Sequence, residues 1–224
     1  MPSIHRSVYR AQAKAGQAEV AVAALSTQAA ALALGTTPGD LMTLSLFRWG
    51  NQIFAYWESI DESRMPESIF GLNAEHLALW PGAATPRTFV PMMDIFHYLA
   101  PENLHGDPVE NWRRKAPVAQ AWGRLARLQP PMVSSYIFLH YQLQEEKPGS
   151  GDQYGIIALH EDLIFFYQER PAVVQSAQIP GKLRTTNTPD HWHDVMFPHF
   201  HRWDDAPPGQ EIWREIEPLL HRTV

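Results

Sequence analysis

The chain has 224 residues, 45% hydrophobic and 19% charged, with 8 Trp, 10 Phe and 7 Tyr, so it can bury a sizeable core and lies far from the composition of disordered segments. Its 24 acidic and 18 basic residues leave a formal charge of -6 without any Lys/Arg block, which argues against nucleic acid as a partner. The absence of cysteine excludes disulfides, thiolate nucleophiles, iron–sulfur clusters and Cys-type zinc sites.

MPSIHRSVYR lacks an apolar leader core, and the apolar stretch 15–34 is interrupted by Gln17, Glu19, Ser26, Thr27 and Gln28. Neither a signal peptide nor a membrane span is expected, and the chain reads as soluble and cytoplasmic. Ile4, Arg6, Val8 and Arg10 alternate with His5, Ser7, Tyr9 and Ala11, the period of a first strand. Residues 15–34, alanine at about half of their positions, predict a helix with Gly35 as its stop. The run 41–61 places two β-rich segments around Gly50-Asn51, so strands are expected at 41–48 and 52–58. PESIFGLNAEHLALWPG predicts a second helix, broken around Gly71 and closed by Pro81-Gly82, and residues 88–101 a last strand with Pro91 at an edge or bulge. This β-α-β-β-α-β order is that of the ferredoxin-like split unit.

Residues 102–131 predict a helical connection bounded by prolines. The second half, 132–224, is expected to open with a strand at 132–146, turn at KPGSGD and form a hairpin over 153–173 turning at His160-Glu161-Asp162. FRWGNQIFAYWESID and ALHEDLIFFYQERPA share a strand, a short polar turn and an aromatic strand ending in acid, the mark of a tandem repeat. Residues 174–190 read as a loop, and Ile212, Trp213, Ile216, Leu219 and Leu220 have helical spacing.

Residues 4–101, through the hairpin FRWGNQIFAYWESID to WPGAATPRTFVPMMDIFHYLAP, resemble the L-rhamnose mutarotase branch of the dimeric α+β barrel superfamily. The resemblance implies an α+β fold in which a ferredoxin-like half at 1–101 and a diverged one at 132–224 pack as a pseudo-dimeric barrel, in a monomer or homodimer. Those mutarotases share a Tyr, an Arg pair and a His followed by Ile-Trp-Pro-Glu just after the first strand. Here the corresponding positions read KAGQAEVAV, so the family's principal acid/base residue does not carry over.

Two constellations carry chemistry. HWHDVMFPHFHRWDD sets His191, His193, His199 and His201 in two His-x-His pairs beside Asp194, Asp204 and Asp205, a donor set for zinc or another transition metal if a strand or loop gathers it. The alternative is that Trp192, Val195, Met196, Phe197, Phe200 and Trp203 pack while the histidines sit at the surface or satisfy backbone groups. The second spreads over the strands: His5, Tyr9, His97 and His140 as acid/base candidates, with Trp49, Tyr56, Trp57, Tyr98 and Tyr141 as aromatic surfaces for a sugar-like ligand. His5 with Tyr9, and Tyr136 with His140, are placed on common strand faces. Sheet packing alone would also account for these aromatics.

The expectation is a small-molecule enzyme, a carbohydrate isomerase or mutarotase-like protein acting through His and Tyr with no cofactor. Its alternatives are a cofactor-independent monooxygenase or haem-handling relative, a non-catalytic ligand-binding or assembly module, and a metal-dependent enzyme centred on 191–201. No GxSxG and no phosphate loop is present.

Overall fold

The computed structural model describes residues 2–71, 73, 75–81, 85–147, 151–176 and 180–224. The helix stop at Pro81-Gly82 and the turn KPGSGD therefore fall partly outside the described residues. In chain order the elements are β1 (Ile4–Gln12), α1 (Ala18–Ala31), β2 (Leu41–Trp49), β3 (Gln52–Ile60), α2 (Pro66–Phe70), β4 (Phe89–Pro91), β5 (Met93–His97), α3 (Pro108–Trp112), β6 (Gln120–Leu128), α4 (Val133–Glu146), β7 (Gly151–Asp152), β8 (Ile156–His160), β9 (Leu163–Arg170), β10 (Val174–Gln175), α5 (Trp192–Met196), β11 (Phe200–His201), β12 (Arg214–Glu215) and β13 (Glu217–Thr223). The chain divides into two compact units, one of Met1–Met92, Leu104–Pro117 and Ile216–Val224, the other of Met93–Asn103 and Val118–Glu215.

In the first unit the antiparallel sheet runs β4-β1-β3-β2-β13. Its first four members have the ferredoxin-like order, fourth, first, third, second. The second unit repeats this as β11-β6-β9-β8-β5. In each sheet the fifth, outermost strand is supplied from the chain beyond the other unit's fourth strand: β5 follows β4, and β13 follows β11 and β12. The fold class is thus α+β with two ferredoxin-like units.

Strand period decides what each face meets. Ala11, Ala55 and Trp57, with Leu44 and Leu46, face Ala21, Leu25 and Ala29 of α1 and Ile69 and Phe70 of α2 in one apolar cluster. The small side chains on α1 let it lie close to the sheet. In the second unit, Ala126, Leu128, Ile164 and Phe166 form the matching cluster with Tyr136 of α4, Met196 of α5 and Ile95 and Phe96 of β5. Both hairpins turn on a left-handed first position, Gly50 at φ 59 and Glu161 at φ 59. Glycine takes that conformation freely, whereas Glu161 is strained there.

Four expectations are corrected. Residues 132–146 form helix α4 rather than a strand: Tyr136, His140 and Leu143 recur at helical spacing, and that face buries despite the β-forming Val, Tyr, Ile and Phe. Tyr136 and His140 therefore share a helix face, not a strand face. Within 102–131, the only α-helix described is the five-residue α3, and 120–128 is the central strand β6. Gln120, Arg124 and Arg127 recur at i, i+4 and i+7 among apolar residues, the spacing of a solvated helix face, although the segment is the second half's first strand.

The third concerns 88–101, which holds two short strands in different sheets, with Pro91 ending edge strand β4. The fourth is the C-terminal segment, which forms β12 and β13 instead of a helix. Pro218 removes a helical hydrogen bond but is tolerated on an edge strand, where a bulge lies between Pro218 and Leu220. Helix α2 is also shorter than expected, ending at Gly71, whose φ of 62 closes it. Helix α1 ends before Gly35 because Arg222 on β13 donates to the carbonyls of Ala29, Ala30 and Leu32 at 3.0, 3.0 and 2.7 Å. A cation there satisfies orphan carbonyls at the negative end of the helix dipole.

Candidate functional site

Strand β5 ends at His97 and delivers it, with Tyr98, to a cleft of about 240 Å³ in the second unit. The other walls come from Ala100, Glu102 and Asn103, the α4 residues Gln144 and Glu145, and the segment Pro180 to Lys182. Gln144 fixes the mouth by accepting from the His97 backbone N–H at 3.1 Å. Glu145 holds the opposite rim: its carbonyl accepts from Leu183 N–H at 3.0 Å and its carboxylate lies 3.3 Å from Lys182 Nζ. A side chain at Gly181 would come within 2.6 Å of the Glu145 carbonyl, so this close approach requires glycine. Glu146 extends the clamp by accepting from the backbone of Asn187 and Thr188 and from the hydroxyls of Thr185 and Thr188. Burial opposes ionisation of its carboxyl, but these donors win and hold its pKa below the usual carboxylate range.

The imidazole of His97 meets Asp94 at 2.8 Å through Nδ1. An ionised carboxylate can only accept, so Nδ1 carries the proton, and in the neutral imidazole it is Nε2 that presents the lone pair. The Tyr98 ring packs edge-on to Phe96 at 4.9 Å and against Gly151, where a Cβ would sit 2.1 Å from it. Burial raises the Tyr98 pKa, and Asp152 raises it further against the opposing charge of Arg124, so its hydroxyl is protonated at neutral pH.

Behind Phe96 lies His140, whose ring is 5.3 Å from Phe96 and 5.1 Å from Trp192. Burial lowers its pKa to about 4, and its Nδ1 donates to the Tyr136 carbonyl at 3.0 Å. His140 is therefore neutral and held by its own helix. Tyr141, expected as a binding surface, is exposed on the outside of α4.

The remaining expected residues fall in the first unit. His5 is bonded to Ser3 Oγ at 3.2 Å, while Tyr9 stacks on Trp57 with centroids 4.7 Å apart. Trp49 closes β2 at the hairpin turn. Tyr56 points to the opposite sheet face from Trp57, where its hydroxyl donates to Glu58 at 2.5 Å. Glu58 also accepts from Trp112 Nε1 at 2.9 Å and is paired with Arg114. Burial alone would raise the Glu58 pKa, but Arg114 and these hydrogen bonds bring it down to about 2. Tyr167 and Glu169 on β9 repeat the Tyr-to-Glu bond at 2.6 Å.

The four clustered histidines are not drawn together. His191 and His193 are exposed at the start of α5, His201 is exposed on β11, and His199 is buried, bonded through Nε2 to Ser135 Oγ and through Nδ1 to the Met196 carbonyl. Among the described residues no three His, Cys, Asp or Glu side chains are grouped to hold a metal ion. The segment becomes a helix and a 3₁₀ turn rather than a strand, so the His-x-His spacing splays the rings. Sequence reasoning reached His97 and Tyr98 but missed Asp94, Gln144, Glu145 and Lys182. Only Asp94, three residues before His97, carried a local signal.

No helix among the described residues is long and apolar enough to cross a membrane. No family model and no curated protein matches the chain. Among solved structures it is similar to a "putative monooxygenase" of Fusobacterium nucleatum, at 8% identity over 99% of this chain and 94% of that one with a TM-score of 0.39. It is also similar to a "putative monooxygenase" of Lactobacillus acidophilus, at 5% identity over 99% and 96% of the two chains with a TM-score of 0.40.

Proposed function

We propose that the protein is a small-molecule enzyme working by acid–base chemistry in the His97 cleft, with a polyhydroxylated, sugar-like substrate and a ring-opening isomerisation as its reaction. The observation that carries this reading is the Asp94–His97 pair at the rim of a cleft also lined by Tyr98, Gln144, Glu145 and Lys182. Mutarotation needs a base for the anomeric hydroxyl proton and an acid for the ring oxygen. His97 Nε2 takes the first proton as the C1–O bond to the ring breaks, and the Tyr98 hydroxyl gives a proton to the departing ring oxygen. Closure on the other face of the carbonyl returns both protons, so no cofactor enters. Gln144, Glu145 and Lys182 supply donors and acceptors for the remaining hydroxyls.

The test is exchange spectroscopy of anomer interconversion across a panel of free aldoses, with the native protein and His97→Gln. Acceleration on at least one sugar, abolished in the variant, supports the reading; spontaneous rates across the panel, or acceleration that survives His97→Gln, refute it. A second reading, cofactor-independent oxygenation, is favoured by the neutral His140 in its aromatic nest of Phe96, Tyr136 and Trp192. It predicts oxygen uptake with an oxidisable aromatic substrate that depends on His140 and not on His97.

A further inference from the structure

The helix-facing side of β6 and β9 carries a cluster whose side chains do not line the His97 cleft. Arg124 lies 3.9 Å from the centre of the Trp122 ring, and Arg170 lies 3.5 Å from it. Two guanidinium groups cannot share one ring face at such distances, so the indole is held between them. Arg124 is further boxed by Phe166 at 4.7 Å and Trp213 at 5.6 Å. One of its terminal nitrogens donates to Gln168 Oε1, and Gln168 in turn donates to Asp152 at 3.3 Å.

The hydrogen-bond inventory of this box does not close. Arg124 Nε and Trp122 Nε1 are both buried and have no hydrogen-bond partner. Buried donors are normally satisfied, and two neighbouring orphans of the same kind call for an acceptor supplied from outside. Neither arginine forms an ion pair among the described residues, although burial and the charge of Arg170 together depress the Arg124 pKa to about 10. The acids facing Arg124 are Glu215, its cross-strand neighbour on β12, and the phenol of Tyr98; both act on it only through space. Two cations, two free N–H donors and aromatic walls favour an acceptor that is negatively charged and planar or tetrahedral in its oxygens.

We propose that Trp122, Arg124 and Arg170 form a binding site for the oxyanion of a small molecule, a carboxylate or a phosphate, which accepts from Arg124 Nε and Trp122 Nε1. This site stands on its own donors and does not rest on the chemistry assigned to His97.

Titration calorimetry at constant ionic strength, with sodium phosphate, acetate and benzoate as separate probes, tests the proposal on the native chain and on Arg124→Lys, Trp122→Phe and Arg170→Gln. The expected result is saturable binding of one equivalent of at least one anion. Arg124→Lys, which keeps the charge and loses the Nε donor, should weaken it at least tenfold, and Trp122→Phe, which keeps a ring and loses the N–H, several-fold. Phosphate binding without benzoate or acetate binding assigns a phosphate ligand, and the reverse assigns a carboxylate. Arg170 is exposed, so Arg170→Gln leaves the core intact and should weaken binding even if the other two variants fold poorly. In the native protein the Trp122 indole proton should shift downfield in the NMR spectrum on addition of the bound anion. Failure of all three anions to saturate, binding unchanged in Arg124→Lys and Arg170→Gln, or an unmoved indole resonance overturns the proposal.

Discussion

Replacing Arg114 by methionine strands a carboxylate in the interior of the first unit. The Glu58 side chain is fully buried and that of Arg114 is 4% exposed, so water cannot replace the lost cation. In the native chain the Glu58 pKa stands at about 2 instead of 4.5, which corresponds to about 3 kcal/mol of preference for the ionised form. Breaking a buried pair by removing one partner costs roughly 3–5 kcal/mol, and the two figures agree in size. The pH dependence gives a second handle. Native Glu58 contributes stability that is full above the unfolded pKa near 4.5 and is lost as pH falls toward about 2. With Arg114→Met, burial is opposed only by the Tyr56 and Trp112 hydrogen bonds and the charge of Arg6, and the Glu58 pKa rises above its unfolded value. The carboxyl then destabilises the fold near neutral pH and recovers as acid protonates it. Urea unfolding at about pH 7 and about pH 4 should therefore show a deficit that is largest at neutral pH and shrinks on acidification. A deficit below about 1 kcal/mol, or one equally large at both pH values, would refute this account of the pair.

Three further outcomes follow. Arg222→Ala should lower the stability of the first unit by about 1–2 kcal/mol, read from the urea midpoint, because the α1 carbonyls of Ala29, Ala30 and Leu32 lose their donor. His140 has its pKa lowered to about 4, so its share of stability is full above the unfolded value near 6.5 and is lost as pH falls through about 4. His140→Phe should remove up to about 3 kcal/mol of that acid sensitivity, and an unchanged stability profile between those two pH values would count against it. Asp94→Asn no longer fixes the His97 tautomer; on any sugar turned over by the native protein it should lower kcat at least about tenfold with little change in KM.

Residues 4–60 were legible because their signals are local. The dipeptide Gly50-Asn51 marks a turn, the odd positions of β1 alternate with the even ones, and an alanine run beside a strand is a helix. The resemblance between the two hairpins was also readable, and it corresponds to a shared turn and a shared Tyr-to-Glu bond in β3 and β9. In the second half local propensity pointed the wrong way. Val133, Tyr136 and Ile137 are β-formers that packing recruits into a helix, and the Arg-rich β6 resembles a solvated helix until Trp122, Phe166 and Trp213 stack on its guanidinium. The site was legible only as His97 and Tyr98, which stand together in sequence. Gln144 and Lys182 reach His97 across 47 and 85 positions, a juxtaposition that no periodicity encodes.

The outer strand of the first sheet has a consequence for the order of synthesis. Ser45 meets His221 across 176 positions of chain, and α1 acquires its C-terminal donor from the same late segment. While residues 217–223 are still unmade, the nascent first unit carries β2 as an open edge with unpaired N–H and C=O groups, beside a helix whose last carbonyls are unclosed. A second nascent chain on the same messenger offers an identical vacant edge and, once finished, an identical closing strand. Polysomes are therefore where this architecture is most exposed to domain-swapped assembly, and spacing the ribosomes apart should raise the yield of correctly closed chains.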